Sequence, residues 1–316
     1  MISKNKTLVI GDVMLDHYLY CTCERISPEA PVPIANLHKE ELILGGAANV
    51  ANNLINLGVD VILCGIIGND SYGLELINEL KKNNIENLLF QCVNRKTTIK
   101  SRVISNGQQQ LRIDREDKFL ISEIEENQII ENLKSKIIQC NCIVISDYNK
   151  GLLTDGLLRK IFFEAKGLNI PVFVDPKIPP FNKYKGADII KPNKKEAYLE
   201  TGIELVDEVS IKNACIKLFE QTGINKIVIT LSEDGVAVFE NHKLSFIPTK
   251  AKKIFDVTGA GDTFLAALSF KYMHDKNLFQ ASEYANYAAA CVVSKVGSAT
   301  TSLKEIDKLI KQENNE

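Results

Sequence analysis

Several patterns that would fix a function early are absent from this 316-residue chain. There is no Gly-x-x-x-x-Gly-Lys-Ser/Thr string and no His-Arg-Asp loop, which excludes a P-loop enzyme and a protein kinase. No Cys-x-x-Cys occurs among the eight cysteines, and the four histidines, His17, His38, His242 and His274, form no His-x-x-x-His pair. A zinc site is therefore not expected, and the Cys21/Cys23 and Cys140/Cys142 pairs read as buried free thiols. Neither charge sign dominates: 38 Lys and Arg stand against 40 Asp and Glu, a formal net charge of −2, so neither a nucleic-acid stripe nor a basic membrane-binding surface is expected. No apolar run approaches a membrane span, and Met1 to Lys6 lead straight into a strand-like Thr7–Ile10 without a cleavage pattern, which predicts a cytoplasmic protein.

What is present is 45% hydrophobic sequence with a steady alternation of short apolar runs and helical segments. Thr7–Ile10, Val59–Ile67, Cys142–Ile145, Pro171–Val174, Ala187–Ile190 and Lys226–Thr230 read as strands, most of them followed by polar residues, where open α/β sheets bind ligands. Asp12 and Asp16 follow the first strand, either turned toward a site or part of a solvated turn. Two excursions, at about 17–40 and 95–115, break the rhythm. The first carries three prolines between Arg25 and Pro33, and the second reads as a hairpin around Asn106-Gly107. The expected architecture is one α/β domain over residues 1–316, a mostly parallel sheet with helices on both faces and a small β lid. Lys311–Glu316 reads as a frayed end.

Residues 254–264, Ile-Phe-Asp-Val-Thr-Gly-Ala-Gly-Asp-Thr-Phe, open an apolar run, Thr263–Tyr272, that suits a buried helix. Gly259 and Gly261 allow close approach of backbone N–H groups, and the first helical turn adds unpaired donors and partial positive charge. An aspartate at such an anion cradle makes sense as the group that handles the proton of a hydroxyl attacking phosphorus. A glycine turn with a favourably placed carboxylate is the plainer alternative. Gly45-Gly46-Ala47-Ala48-Asn49 likewise starts a small-residue helix, through Leu57, that either packs tightly or lies against a polyol.

Asp256-Val-Thr-Gly-Ala-Gly-Asp262 resembles the C-terminal signature of the ribokinase-like sugar kinases, and Gly45-Gly-Ala-Ala-Asn49 resembles their N-terminal one. The resemblance runs nearly end to end. It implies that Asp262 is the catalytic base, that Thr258, Gly259, Ala260 and Gly261 form the hole for the transferring phosphoryl group, and that Gly45, Gly46, Asn49 and Asp16 hold sugar hydroxyls. It also implies ATP on Asn193, Lys194, Lys195, Glu196, Thr230, Gly235 and Asn286, with Glu196 indirectly arranging Mg²⁺ and a monovalent cation such as K⁺ as an option. Lys194 and Lys195 read equally as surface charge.

Within that family, Gly11–Asp16, Arg25–Pro33, Leu111–Asp114, Val174–Lys177 and Pro192–Glu196 resemble the bacterial heptose-phosphate kinases. The implied reaction moves the ATP γ-phosphoryl group to O1 of D-glycero-β-D-manno-heptose 7-phosphate, in supply of ADP-heptose for lipopolysaccharide core. Kinases of other sugars and a silent sugar-phosphate-binding regulator are the alternatives. Many such kinases are fused to a nucleotidyltransferase with a His-x-Gly-His-type motif, absent here, so a separate adenylyltransferase is expected downstream. Lid edges predict a homodimer. Arg112 and Lys177 are the candidates for the 7-phosphate, with an Arg112–Asp114 ion pair and a solvated Lys177 as the alternatives.

Overall fold

The computed structural model describes residues 6–251, 254–295 and 297–313. The chain starts with β1 (Lys6–Gly11), leaves the body as two long strands, β2 (Val13–Ile26) and β3 (Pro33–Gly46), and returns through helix α1 (Ala47–Asn56). Next come β4 (Asp60–Gly68), α2 (Ser71–Lys82), β5 (Glu86–Cys92), the hairpin β6 (Ile99–Ser105) and β7 (Gln108–Arg115), α3 (Glu123–Ile137), β8 (Cys142–Ser146) and α4 (Asp155–Gly167). The remainder is β9 (Val172–Asp175), β10 (Ile189–Ile190), α5 (Lys194–Thr201), α6 (Glu208–Thr222), β11 (Lys226–Thr230), β12 (Val236–Glu240), β13 (Lys243–Ile247), α7 (Ala260–Asp275), α8 (Leu278–Val293) and α9 (Leu303–Glu313).

Among the described residues the body is a nine-stranded sheet in the order β13-β12-β11-β10-β9-β8-β1-β4-β5, parallel except where β12 runs against its two neighbours. Its central strands are buried along nearly their whole length, as expected for a parallel sheet covered on both faces. Val9, Leu63 and Val144 point into one core with α1, α7 and α8, while Leu8, Ile62 and Ile143 point into the other with α3, α4 and α6. The chain leaves β1 toward β4 on one side and reaches β8 on the other. That reversal opens a crevice at the carboxyl ends of β1 and β8, where Asp12 and Ser146–Tyr148 lie. Gly11 is required there, because a Cβ would collide with the Ser146 carbonyl.

The lid is a separate sheet in the order β3-β2-β6-β7, and its strands cover residues 13–46 and 99–115. The first excursion is thus wider than 17–40: Pro28 and Pro31 fall in the turn between β2 and β3, closed by Ser27 N–H donating to Val32, and Pro33 opens the edge strand β3. Asn106 and Gly107 have φ of 51° and 74°, which makes the two-residue hairpin turn that their sequence predicts. Edge strand β5, which pairs with β4, was not apparent in the sequence. None of the eight cysteines, all of them among the described residues, forms a disulfide, and five are buried. The helical end reaches Glu313; residues 314–316, and Met1–Asn5 at the other end, lie outside the described residues.

Candidate active site

Helix α7 begins at Gly259, whose φ of 77° lets the loop turn sharply into the helix, and no side chain caps it. The N–H groups of Gly261 and Asp262 therefore belong to a first turn that the helix itself does not satisfy. Asp262 is 3% exposed. One carboxylate oxygen, Oδ2, accepts from Asn49 Nδ2 at 3.0 Å, and Oδ1 accepts from the Tyr148 hydroxyl at 2.7 Å. Asn49 is steadied in turn by Asn53, whose Nδ2 donates to the Asn49 carbonyl and side-chain oxygen, and Thr263 Oγ1 donates to Asn53 Oδ1. This ladder ties α1 to α7 so closely that a Cβ on Gly259 would stand 2.7 Å from Asn49 Nδ2. Burial pushes the Asp262 carboxyl up to about 6, with the Asn49 and Tyr148 hydrogen bonds and the Lys191 charge pulling the other way. Near neutral pH it is ionised and able to take a proton.

On the lid side, Asp16 Oδ1 accepts from Arg102 at 2.6 Å and Oδ2 accepts from Ser298 Oγ at 2.6 Å. Gly45 and Gly46 make room for this: a Cβ on Gly45 would meet Asp16 Oδ2 at 2.7 Å, and Gly46 has φ of 58° where β3 turns into α1. Asp12 is 2% exposed, and its Oδ2 accepts the backbone N–H groups of Tyr148 and Lys150 at 2.8 and 3.0 Å. It pins the β8 loop to the end of β1, and burial followed by the Asp147 charge raises it to about 6. Its Oδ1 has no partner among the described residues. The two cations expected at a substrate phosphate are both engaged. Arg112 Nε pairs with Asp114 at 2.9 Å with half its side chain exposed, the ion-pair alternative, and Lys177 Nζ reaches Glu196 Oε1 at 3.1 Å rather than standing in solvent alone.

On the opposite side of α7's first turn lies a cavity of about 400 Å³ whose lining includes Thr230, Gly235, Ala260, Gly261 and Asn286, with apolar walls such as Phe264 and Val293. Residues far apart in sequence, expected at nucleotide and phosphate, thus share one space. Asn193, Lys194 and Lys195 line a neighbouring opening that meets it at Ser232. Asn193 and Glu196 form a capping box on α5, with Glu196 Oε2 accepting from Asn193 N at 2.9 Å. The Glu196 carboxylate is therefore held by the helix cap and Lys177. No cluster of three or more potential metal ligands occurs among the described residues. Thr258, expected at the phosphoryl hole, has its hydroxyl turned into the loop, donating to Asp256 Oδ1 at 2.7 Å, while Asp256 Oδ2 accepts from Gly297 N at 2.9 Å.

Four residues escaped the sequence reading as site members: Tyr148, Arg102, Ser298 and Lys191. Lys191 is 2% exposed, pairs with Asp175 at 2.9 Å, and lies beside the phosphate loop, 3.9 Å from where a Gly261 Cβ would be. Tyr148 and Lys191 follow strand ends, a signal that could have found them. Arg102 and Ser298 needed the tertiary structure.

The body and lid together match solved sugar-kinase folds. A ribokinase from Arabidopsis thaliana complexed with ribose and ATP superposes with a TM-score of 0.75, covering 96% of this chain and 98% of that one at 21% identity. A possible 1-phosphofructokinase from Thermotoga maritima reaches 0.81, covering 97% of each chain at 19% identity. At the sequence level the family model for pfkB carbohydrate kinases matches residues 4–305, and the chain belongs to that family. It is 47% identical to the bifunctional protein HldE of Helicobacter hepaticus over 95% of its own length, and spans 63% of that protein.

Proposed function

We propose that this chain is an ATP-dependent kinase of D-glycero-β-D-manno-heptose 7-phosphate that phosphorylates O1 to give the 1,7-bisphosphate. The observation that carries the reading is the position of Asp262, a buried carboxylate on an uncapped helix terminus, between the 400 Å³ cavity and the lid's Asp16. Asp262 takes the proton from the acceptor hydroxyl as the phosphoryl group is transferred. The N–H groups of Gly261 and Asp262, with the Lys191 ammonium nearby, meet the charge that develops.

The cavity's apolar walls and the amide of Asn286 suit a purine, and the phosphates would then extend toward Gly261. Mg²⁺ would arrive on the nucleotide phosphates and keep most of its waters, which fits a site with no protein ligand cluster among the described residues; Glu196 would act through water. Such an ion supplies charge neutralisation of the β- and γ-phosphates. The choice of heptose rests on Arg25–Pro33, Val174–Lys177 and the other stretches shared with heptose-phosphate kinases, and on 40–47% identity to bifunctional HldE proteins.

The bifunctional relatives support a nucleotidyltransferase acting further downstream, fused or separate. The lid is our candidate for a homodimer interface, because Leu37, Leu111 and Ile113 are 53%, 56% and 52% exposed; a monomer by light scattering at working concentration would count against it. No described helix is long and apolar enough to cross a membrane, and we place the work in the cytoplasm, where ATP is available.

The decisive experiment offers ATP with a panel of free sugars and sugar phosphates and reads products by mass spectrometry. Heptose 1,7-bisphosphate as the preferred product is expected. Faster turnover of a ribose or hexose acceptor would transfer the assignment to another sugar, and no turnover of any acceptor would leave a binding protein.

A further inference from the structure

Resting on that reading, we propose that Lys100, on the lid, binds the phosphate group that the acceptor sugar already carries. Strand register decides which side chains share the inner face of the lid. A two-residue turn at Asn106-Gly107 pairs Ser105 with Gln108 and Ile104 with Gln109, but a bulge then slips the register so that Arg102 faces Arg112 and Lys100 faces Asp114. Residues directly opposite in an antiparallel pair share a face. On the other side β2 aligns Asp16 with Lys100 and Tyr18 with Arg102. One face of the lid thus gathers Asp16, Lys100, Arg102, Arg112 and Asp114, and it is the face turned to the active site, since Asp16 meets Ser298 and Lys100 meets Tyr148.

On this face Arg102 is paired with Asp16 and Arg112 with Asp114. Across the crevice Lys177 is paired with Glu196, Lys191 with Asp175 and Lys150 with Glu116. Lys100 alone of these cations has no carboxylate within ion-pair distance among the described residues. It is not an idle surface charge, because the side chain is half-buried and its ammonium lies 5.3 Å from the centre of the Tyr148 ring. Tyr148 is the residue whose hydroxyl holds Asp262. A partly desolvated ammonium over the Tyr148 ring, with no carboxylate at ion-pair distance among the described residues, is costly alone and favourable once an anion is seated.

Two phosphates could supply that anion, the acceptor's and the nucleotide's. The nucleotide cavity opens on the Gly261 side, where Lys191 already stands, whereas Lys100 comes from the strand next to the one bearing Asp16. The location favours the acceptor. Of the two cations the sequence offers, Arg112 makes the ion pair with Asp114 that stood as its alternative, and Lys177 has a partner, Glu196, that the sequence does not reveal.

The test uses the full chain with Lys100→Met, Lys100→Gln as a second neutral variant, and Lys100→Arg. The KM for heptose 7-phosphate should rise roughly 10- to 100-fold in the neutral variants, the range for a charge-assisted hydrogen bond. The preference for heptose 7-phosphate over unphosphorylated heptose should fall by a similar factor, the KM for ATP should move far less, and Lys100→Arg should recover most of the loss. A rise confined to the KM for ATP would assign the charge to the nucleotide and overturn the proposal. So would unchanged KM values, or equal loss on phosphorylated and unphosphorylated heptose, which would mark Lys100 as packing for Tyr148. Failure of the wild type itself on heptose 7-phosphate would instead strike the proposed function, leaving the lid comparison to be run on whichever sugar phosphate it accepts.

Discussion

The two sides of Asp262 are made of different materials. Toward the 400 Å³ cavity proposed for the nucleotide the groups in play are backbone N–H donors at an uncapped helix terminus and apolar walls; toward the lid they are charged side chains held in pairs, Arg102 with Asp16 and Arg112 with Asp114. A backbone site needs glycine where the chain comes close to its ligand, so its position can be read from a short string. A site of paired charges depends on which strands meet and in what register.

The largest expected effect lies at the boundary between the two sides. Asp262→Asn should lower kcat by at least about 10²-fold, the usual contribution of a positioned base, while leaving both binding regions intact. Near-normal turnover in the folded variant would remove Asp262 from the mechanism. In the wild type, kcat/KM should fall as pH drops through about 6, because the base must be ionised. Stability runs the other way for this group. Its folded-state pKa lies above the ordinary carboxylate value, so the native state binds the extra proton and this group's unfavourable contribution grows as pH rises from about 4 to 6. Asp262→Asn should therefore melt at or slightly above the wild-type temperature at pH 7.5, with the difference shrinking toward pH 4; a lower melting point at pH 7.5 would contradict the burial argument.

The nucleotide side is sharpened by a pair of glycine substitutions. A Cβ at Gly261 meets no protein atom nearer than 3.9 Å, so Gly261→Ala should fold normally and yet lose roughly 10²-fold in turnover if a phosphate occupies that space. Gly259→Ala differs in kind, since its φ of 77° and the 2.7 Å approach to Asn49 place strain in the protein itself. It should lower the melting temperature as well. Full ATP turnover in Gly261→Ala would refute the anion-cradle reading.

The contrast between the sides also explains what the sequence made legible. Apolar runs ending in polar residues marked most of the parallel strands, and the small-residue strings at 45–49 and 258–262 fell on the starts of α1 and α7, because a close backbone approach leaves few residue types possible. The lid hairpin was visible from Asn106-Gly107, but its register was not. An unbulged two-residue hairpin would put Arg112 and Asp114 on the face opposite Lys100 and Arg102; the extra residue near Gln110 brings all four together. Ser298 meets Asp16 across 282 residues of sequence, a contact that no local pattern encodes. Glu196 shows the converse limit: its helix cap could be read from Asn193-Lys-Lys-Glu196, yet the sequence does not reveal that Lys177 takes the remaining oxygen.

The lid's two arginines should differ sharply from each other, the Arg112 change giving the smallest effect, and their ratio tests whether the lid's pairs differ as their burial says. Arg102 and Asp16 have side chains only 9% and 6% exposed, so Arg102→Met leaves Asp16 a buried carboxylate held by Ser298 alone. Removing one partner of a buried pair typically costs about 3–5 kcal/mol, and here the loss should appear both as a lower denaturation midpoint and as weaker acceptor binding. Arg112 and Asp114 are 50% and 30% exposed, which places their pair in water where such contacts contribute less than about 1 kcal/mol. Arg112→Ala should accordingly leave stability within that margin. Its effect on the KM for heptose 7-phosphate is the informative number: a change below about threefold keeps Arg112 as the partner of Asp114, whereas a rise matching that of Lys100→Met would mean that the pair opens when substrate enters and that two lid cations, rather than one, hold the phosphate.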